Sequence, residues 1–391
     1  MLLKRTLFVL IVLALTISGS STASAQGEAP ILGADSATAI PGRYIVVFKP
    51  GTPAADVSAA AEHARGGGGQ VDFVYESALV GFAGQLPEQA LFGLSHNPNI
   101  EFIEADQVIT IDTTQSPATW GLDRIDQRNL PLNNSYTYNV TGAGVKAYII
   151  DTGIRITHNQ FGGRATYGRD FVDNDSTASD CNGHGTHVAG TVGGSTYGVA
   201  KGVSLVAVRV LNCSGSGTTS GVIAGIDWVT SQHTTGKAVA NMSLGGSPST
   251  ALDNAVRNSI ADGVVYAIAA GNSNSNACNF SPARTAEAIT VGATTSSDAR
   301  ASYSNKGSCL DLFAPGSSIT SAWNSSNTAT NTISGTSMAT PHVTGVAALY
   351  LQGHNATPLQ VRNALVGAAT PNKVTNPGSN SPNLLLYSLV P

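Results

Sequence analysis

Charged side chains are scarce in this 391-residue chain, 11% of it against roughly 25% in average usage. Lys and Arg number 20 and Asp and Glu 24, for a net charge of -4. With no basic excess, the phosphate contacts of a nucleic-acid binder are missing, and that class of partner is excluded. Cysteine is limited to Cys181, Cys213, Cys278 and Cys309, with no CxxC pair, which argues against a cysteine-held zinc. Long apolar runs are missing too. The run LFVLIVLALTI from Leu7 is shorter than the ~20 residues of a membrane span, so we expect no span once it is removed. It follows Lys4 and Arg5 and leads to Ala23, Ser24 and Ala25, the pattern of a secretory signal peptide over residues 1–25. A secreted, extracellular chain meets oxidising conditions, so two disulfides are expected, with three pairings open.

Glycine is in excess, at 43 residues, and implies many tight turns. From Arg43, the segments RYIVVFK, AADVSAAAEHAR, GQVDFVYESALVGFAG, PEQALFGLSHN and IEFIEADQVITI read as strand, helix, two strands, helix and strand. That is the βαββαβ order of a ferredoxin-like unit. The polar stretch DTTQSP at 112–117 interrupts it, and Pro117 bars a continuing strand. We therefore divide the chain into a signal peptide 1–25, a small α+β module 26–112 and a larger domain 113–391. Beyond Trp120, apolar strands such as KAYIID, SLVAVRVL, AVANMSL and GVVYAIAAG alternate with helical stretches. The alternation predicts an α/β fold, a parallel sheet with helices on both faces, whose ligands bind beyond the carboxyl ends of the strands.

Residues able to do chemistry fall at those ends. The strand VKAYII runs into Asp151, GHGTHVAG at 183–190 supplies His184, and SGTSMATPHVTGVAALYLQ puts Ser337 in the first turn of a long apolar helix. There, unpaired N–H groups and the helix dipole can stabilise an oxyanion. Serine is a weak nucleophile that needs a base, and the base needs an orienting carboxylate. Asn272 ends the motif AAGN. Singly, these motifs are ambiguous: DTG also marks aspartic proteases, and His184 and His187, three apart, could be metal ligands on one helical face.

Together, DTGI at 151–154, GHGTHVAGT at 183–191, AAGN at 269–272 and SGTSMATPHV at 334–343 resemble the subtilisin family of serine proteases. The resemblance is nearest to the proteinase K branch and its disulfide-bearing, aqualysin-like extracellular enzymes. It implies Ser337 as nucleophile, His184 as base, Asp151 as its orienting partner, and the Asn272 side chain with the Ser337 N–H as oxyanion hole. It implies structural roles for His187 and His342. It favours the pairings Cys181 with Cys213 and Cys278 with Cys309. Residues 43–111 resemble the family's inhibitory prodomain, which implies a precursor that cuts itself near Asp112 and is held inactive by its own prodomain.

Ser214, Gly215 and Ser216, and Ser243, Leu244, Gly245 and Gly246, resemble the two backbone stretches that pair with an extended polypeptide substrate. With Ala270 and Gly271 they would wall a pocket of broad preference for apolar or aromatic residues before the cleaved bond. Calcium is implied as a structural ion, with no cofactor for the chemistry. Asp311 would hold it with the carbonyls of Ala286 and Ala288, Asp123, Asp126 and Gln127 would form a second site, and Asp170 and Asp175 a third. Asn133, where close relatives would be expected to carry an aspartate, weakens the second set. A monomer is expected. The rival readings are a non-catalytic binding protein on the same fold and a metal-dependent hydrolase using His184 and His187.

Overall fold

The computed structural model describes residues 28–36, 39–107 and 113–390, which fall into two compact units divided at Ile109 and Thr110. The expected signal peptide, the expected cut near Asp112 and most of the segment QVITI lie outside the described residues.

The first unit runs β1 (Ile31–Leu32), β2 (Ala39–Phe48), α1 (Ala54–Gly66), β3 (Gln70–Tyr75), β4 (Gly81–Gln85), α2 (Glu88–Ser95) and β5 (Ile100–Gln107). This is the expected βαββαβ order with a short added strand, in a sheet ordered β1-β5-β2-β4-β3. Helix α1 buries Val57, Ala60, Ala61 and Ala64, the i, i+3, i+4, i+7 stripe that one helical face presents. Those residues meet Val46, Phe82 and Ile103 from the sheet in one apolar cluster.

The second unit opens with β6 (Thr113–Gln115), α3 (Trp120–Ile125) and β7 (Tyr136–Tyr138), the two strands pairing as a small ribbon. There follow β8 (Val145–Asp151), β9 (Ala165–Asp170), α4 (His184–Gly193), β10 (Ser204–Arg209), α5 (Thr219–Gln232), β11 (Lys237–Met242), α6 (Thr250–Asp262) and β12 (Val265–Ala269). The chain continues through β13 (Ile289–Thr294), β14 (Leu312–Pro315), the hairpin β15 (Ile319–Ala322) and β16 (Thr330–Ile333), α7 (Thr336–Gly353), α8 (Pro358–Ala368), β17 (Thr370–Pro371) and β18 (Leu384–Leu385). Nine strands form one sheet in the order β17-β18-β14-β13-β12-β11-β8-β10-β9, and only β17 runs against the rest.

Alternate residues of β8 feed two cores, as the strand pleat requires. Val145, Ala147 and Ile149 face the cluster that holds Val188 and Val192 of α4 and Val343 and Val346 of α7. Tyr148 and Ile150 face the other cluster, with Val222 and Ile226 of α5 and Val256 of α6. Helix α7 carries no charged residue and is buried almost all round, which suits a helix sunk between the sheet and α4. After β8 the chain builds β9 and β10 on one side and then crosses to β11 on the other. That makes the carboxyl ends of β8 and β11 a switch point, where such sheets open a crevice. Among the described residues no helix is long and apolar enough to cross a membrane.

Candidate active site

Asp151 is the last residue of β8 and is fully buried. Its Oδ1 accepts the Thr152 N–H at 2.7 Å and faces Nδ1 of His184, also at 2.7 Å. A carboxylate can only accept, so Nδ1 carries the hydrogen and Nε2 of the neutral ring is left with its lone pair free. His184 is the first residue of α4, behind Gly183 at φ 114°, a left-handed turn that a side chain would strain. The imidazole is 24% exposed. Burial pulls its pKa down, but the charge and hydrogen bond of Asp151 and the charge of Asp180 outweigh that, so the net shift is upward.

Ser337 is the second residue of α7. Pro341, four residues on, has no N–H to give the Ser337 carbonyl, so that oxygen is released from the helix ladder. The Ser243 hydroxyl, just past β11, donates to it at 2.8 Å, and Ser337 Oγ donates back to the Ser243 carbonyl at 3.1 Å. In this rotamer the hydroxyl is turned to Ser243, and no hydrogen bond joins it to His184.

Asn272 lies beyond β12. Its Oδ1 accepts the Thr336 N–H at 2.8 Å and the Thr336 hydroxyl at 2.9 Å. With the oxygen fixed, Nδ2 points the other way. A methyl group built on Gly335 would lie 3.5 Å from both Asn272 Nδ2 and Ser337 N, so the two donors flank one small hollow. The Ser337 N–H is one of the first-turn donors that a helix leaves unpaired. The arrangement can bind a developing oxyanion beside a hydroxyl.

A groove of about 530 Å³ opens beside His184, lined by Ser214, Gly215 and Ser216 on one side and by Ser243, Leu244, Gly245 and Gly246 on the other. Asn212 Oδ1 accepts the Ser214 and Ser216 N–H groups at 2.9 and 3.1 Å and shapes the first wall. The disulfide from Cys181 to Cys213 ties that wall to the loop ahead of His184, and a second joins Cys278 to Cys309. Leu211, Val222 and Leu252 give the groove an apolar floor that the motifs did not signal. Ala270 is fully buried and is not among the residues lining this groove, its carbonyl taken by Asn305 Nδ2 at 2.7 Å. Gly271, with its N–H taken by the Thr336 hydroxyl at 3.1 Å, helps to seat Thr336.

The two histidines of α4 part company. His187 is fully buried and its Nε2 bonds the Ile319 carbonyl at 3.0 Å, while His342 on α7 is buried against the Met338 carbonyl. Neither converges with His184 on a common point.

The carboxylates assigned to calcium differ in what they can accept. Asp126 Oδ1 is buried with no hydrogen-bond partner among the described residues. Burial pushes this carboxyl up to about 6, with the Thr137 N–H opposing and Asp123 adding to it. A hard cation would satisfy that oxygen, so this set fits. Asp123 accepts the N–H groups of Asn133 and Asn134, and Gln127 Nε2 donates to the carbonyls of Asn129 and Pro131. The other two sets do not fit as they stand. Asp311, just ahead of β14, gives one oxygen to the Thr290 N–H and the other to Arg362, while Ala286 is exposed and Ala288 buried. Asp170 accepts the N–H groups of Val172 and Asp173 and the Arg209 guanidinium, while Asp175 accepts the Thr177 N–H. In both sets a guanidinium already neutralises the carboxylate that a metal would need.

A parallel sheet whose switch point gathers a buried aspartate, its histidine partner and a serine at a helix start defines a hydrolase of the serine type. The Subtilase family matches residues 142–383, more than half of the chain, and the description Peptidase inhibitor I9 matches residues 43–112. The chain therefore belongs to the subtilase family and is a serine endopeptidase. It is 58% identical over 402 residues to an "Extracellular serine proteinase" of Thermus sp. (strain Rt41A), with 97% of each chain covered. It is 57% identical over 327 residues to "Alkaline serine exoprotease A" of Vibrio alginolyticus, covering 82% of this chain and 60% of that one. A solved structure described as a "cold adapted subtilisin-like serine proteinase" superimposes with a TM-score of 0.69 at 63% identity, covering 71% of this chain and all of the other.

Proposed function

We propose that the chain is the precursor of a secreted endopeptidase that works through Asp151, His184 and Ser337. The observation that carries the reading is the 2.7 Å contact of the buried Asp151 with His184 Nδ1, which leaves Nε2 free as a base. A peptide lies extended between the Ser214 to Ser216 wall and the Ser243 to Gly246 wall, adding a strand to each, with its apolar or aromatic residue before the cut in the pocket beyond. Ser337 Oγ swings from the Ser243 carbonyl toward His184 and attacks the scissile carbonyl carbon as Nε2 takes its proton. The carbonyl oxygen, now an anion, enters the hollow between Asn272 Nδ2 and the Ser337 N–H. Collapse breaks the C–N bond, His184 gives the proton to the leaving amine, and an acyl ester remains on Ser337. Water, deprotonated by His184, attacks the ester and frees the acid.

Residues 26–112 are the prodomain and residues 113–391 the mature enzyme. The inhibitor match over 43–112 supports the prodomain as an intramolecular inhibitor, released by a cut near Asp112. Residues 1–25 direct export, a reading supported by the extracellular name of the Thermus relative. Calcium is bound as a structural ion by Asp126 with Asp123 and Gln127, and supplies no step of the chemistry.

Expressed in full, the chain with Ser337→Ala should accumulate as uncut precursor, whereas the unchanged chain processes itself and its Ser337 is labelled by a serine-directed fluorophosphonate. Normal processing of purified Ser337→Ala protein would show that another activity makes the cut.

A further inference from the structure

We infer that Asp180 is a positioning residue for His184: its buried carboxylate clamps the backbone on both sides of the imidazole to the strand end that carries Asp151, and sets a second negative charge behind the imidazolium. The inference rests on the reading of Asp151, His184 and Ser337 given above. Asp180 lies in the loop between β9 and α4 and is only 8% exposed. Its Oδ1 accepts the Thr152 hydroxyl at 2.9 Å and the N–H groups of Asn182 and Gly183 at 2.9 and 2.8 Å. Its Oδ2 accepts the N–H and the hydroxyl of Thr186 at 2.9 and 2.6 Å.

Those partners bracket the catalytic pair. Gly183 precedes His184, Thr186 follows it by two residues, and Thr152 is next to Asp151. The Thr152 hydroxyl, while donating to Asp180, accepts the Gly185 N–H at 2.9 Å, and the Thr186 hydroxyl accepts the Arg155 N–H at 3.0 Å. One carboxylate thus holds the residues after β8 against the first turn of α4, and with them the separation of Asp151 from His184. Pre-organising a base in this way removes reorganisation from the barrier.

The five donors are all neutral, so the charge of Asp180 is solvated by the loop and not cancelled by a cation. It acts with Asp151 to raise the affinity of His184 for its proton, against burial. The other titratable groups around the ring leave that balance alone. His187, one turn along α4, is kept neutral by burial down to about 4, and so is His342 on α7. Arg155 sends its guanidinium to Asn324 and Asn327, and Arg209 of β10 is committed to Asp170 and Asp173.

The test compares enzymes produced from the full chain. Asp180→Asn removes the charge, so the acidic limb of kcat/KM should move to lower pH by about half a unit or more, with kcat at its optimum down about tenfold. Asp180→Glu and Thr152→Val keep the charge and disturb the clamp, so kcat should fall severalfold while the acidic limb stays in place. A role confined to stability would lower the Tm and move neither the limb nor kcat of the folded fraction. Wild-type kcat and limb in Asp180→Asn would overturn the inference. If that variant does not fold, wild-type kcat in both charge-retaining variants overturns it instead. Failure of fluorophosphonate to label Ser337 in the unchanged enzyme would sink the reading of the site itself, whereas normal labelling with an indifferent Asp180 sinks only this step.

Discussion

Gly335 sits beside the two donors of the oxyanion hollow, with room for one more methyl group. A Cβ there would meet Asn272 Nδ2 and Ser337 N at 3.5 Å and the Met338 sulfur at 3.7 Å, ordinary contacts that the surroundings tolerate. It would nevertheless stand between the two donors, where the oxyanion has to sit. Gly335→Ala should therefore keep the Tm within a few degrees and lower kcat at least tenfold with little change in KM, because only the transition state needs the hollow. Asn272→Ala removes one donor outright and should lower kcat by about 10²- to 10³-fold, the magnitude long established for the corresponding donor of subtilisin itself. Steady-state kinetics beside a thermal melt decide both. Unchanged kcat in folded Gly335→Ala would place the oxyanion elsewhere. AAGN placed Asn272 at a strand end, and the resemblance to subtilisins implied its pairing with the Ser337 N–H. The contact that aims its amide was not legible, since Thr336 turns the Asn272 side chain from 64 residues away.

Helices α4 and α7 pack against one another and each buries a histidine, His187 and His342, whose pKa values burial lowers to about 4. The ordinary value is near 6.5, so as pH falls through 6.5 the unfolded chain takes up protons that the folded chain refuses. Stability from this source is whole above pH 6.5 and drains away between 6.5 and about 4, by up to about 3 kcal/mol per histidine. Urea unfolding of the Ser337→Ala precursor, which cannot digest itself, should show a steep loss from pH 7 to 5. His342→Gln, which keeps a donor for the Met338 carbonyl, should flatten that loss by roughly half; an unaltered slope would assign it to other groups. The sequence made these two helices legible, since small and apolar residues recur around HGTHVAGTVGG and the long run after Ser337. It did not mark the two-residue strands β17 and β18, which owe their pairing to the sheet edge and carry no period of their own. Nor did it mark Asp180, because an aspartate before a glycine-rich turn looks like a solvated loop residue until its five donors are seen.

Over the whole molecule, what the sequence could not reveal is which distant charges meet. Asp170 finds Arg209 across 39 residues and Asp311 finds Arg362 across 51, so two carboxylates that looked free for a metal are spent on guanidinium groups. Arg124, wholly buried, spans 174 residues to make a two-pronged contact with Asp298, tying α3 to the loop after β13. The fold thus secures those regions with its own cations. The segment around Asp126 is not secured in that way: Asp126 Oδ1, like Asp151 Oδ2 and Asp253 Oδ1, is buried with no donor among the described residues, and no guanidinium faces it. Leaving such an oxygen bare costs about 1–3 kcal/mol, more for a charged group, and a calcium ion would remove that penalty. Calcium at about 100 times its Kd should then stabilise the folded enzyme by about 2.7 kcal/mol, seen as a rise of several degrees in Tm. Asp126→Asn should abolish most of that rise while leaving kcat in excess calcium unchanged, because Asp126 touches none of Asp151, His184 or Ser337. A full calcium response in Asp126→Asn would move the site to Asp311 or Asp170, and would mean that Arg362 or Arg209 gives way when the ion arrives.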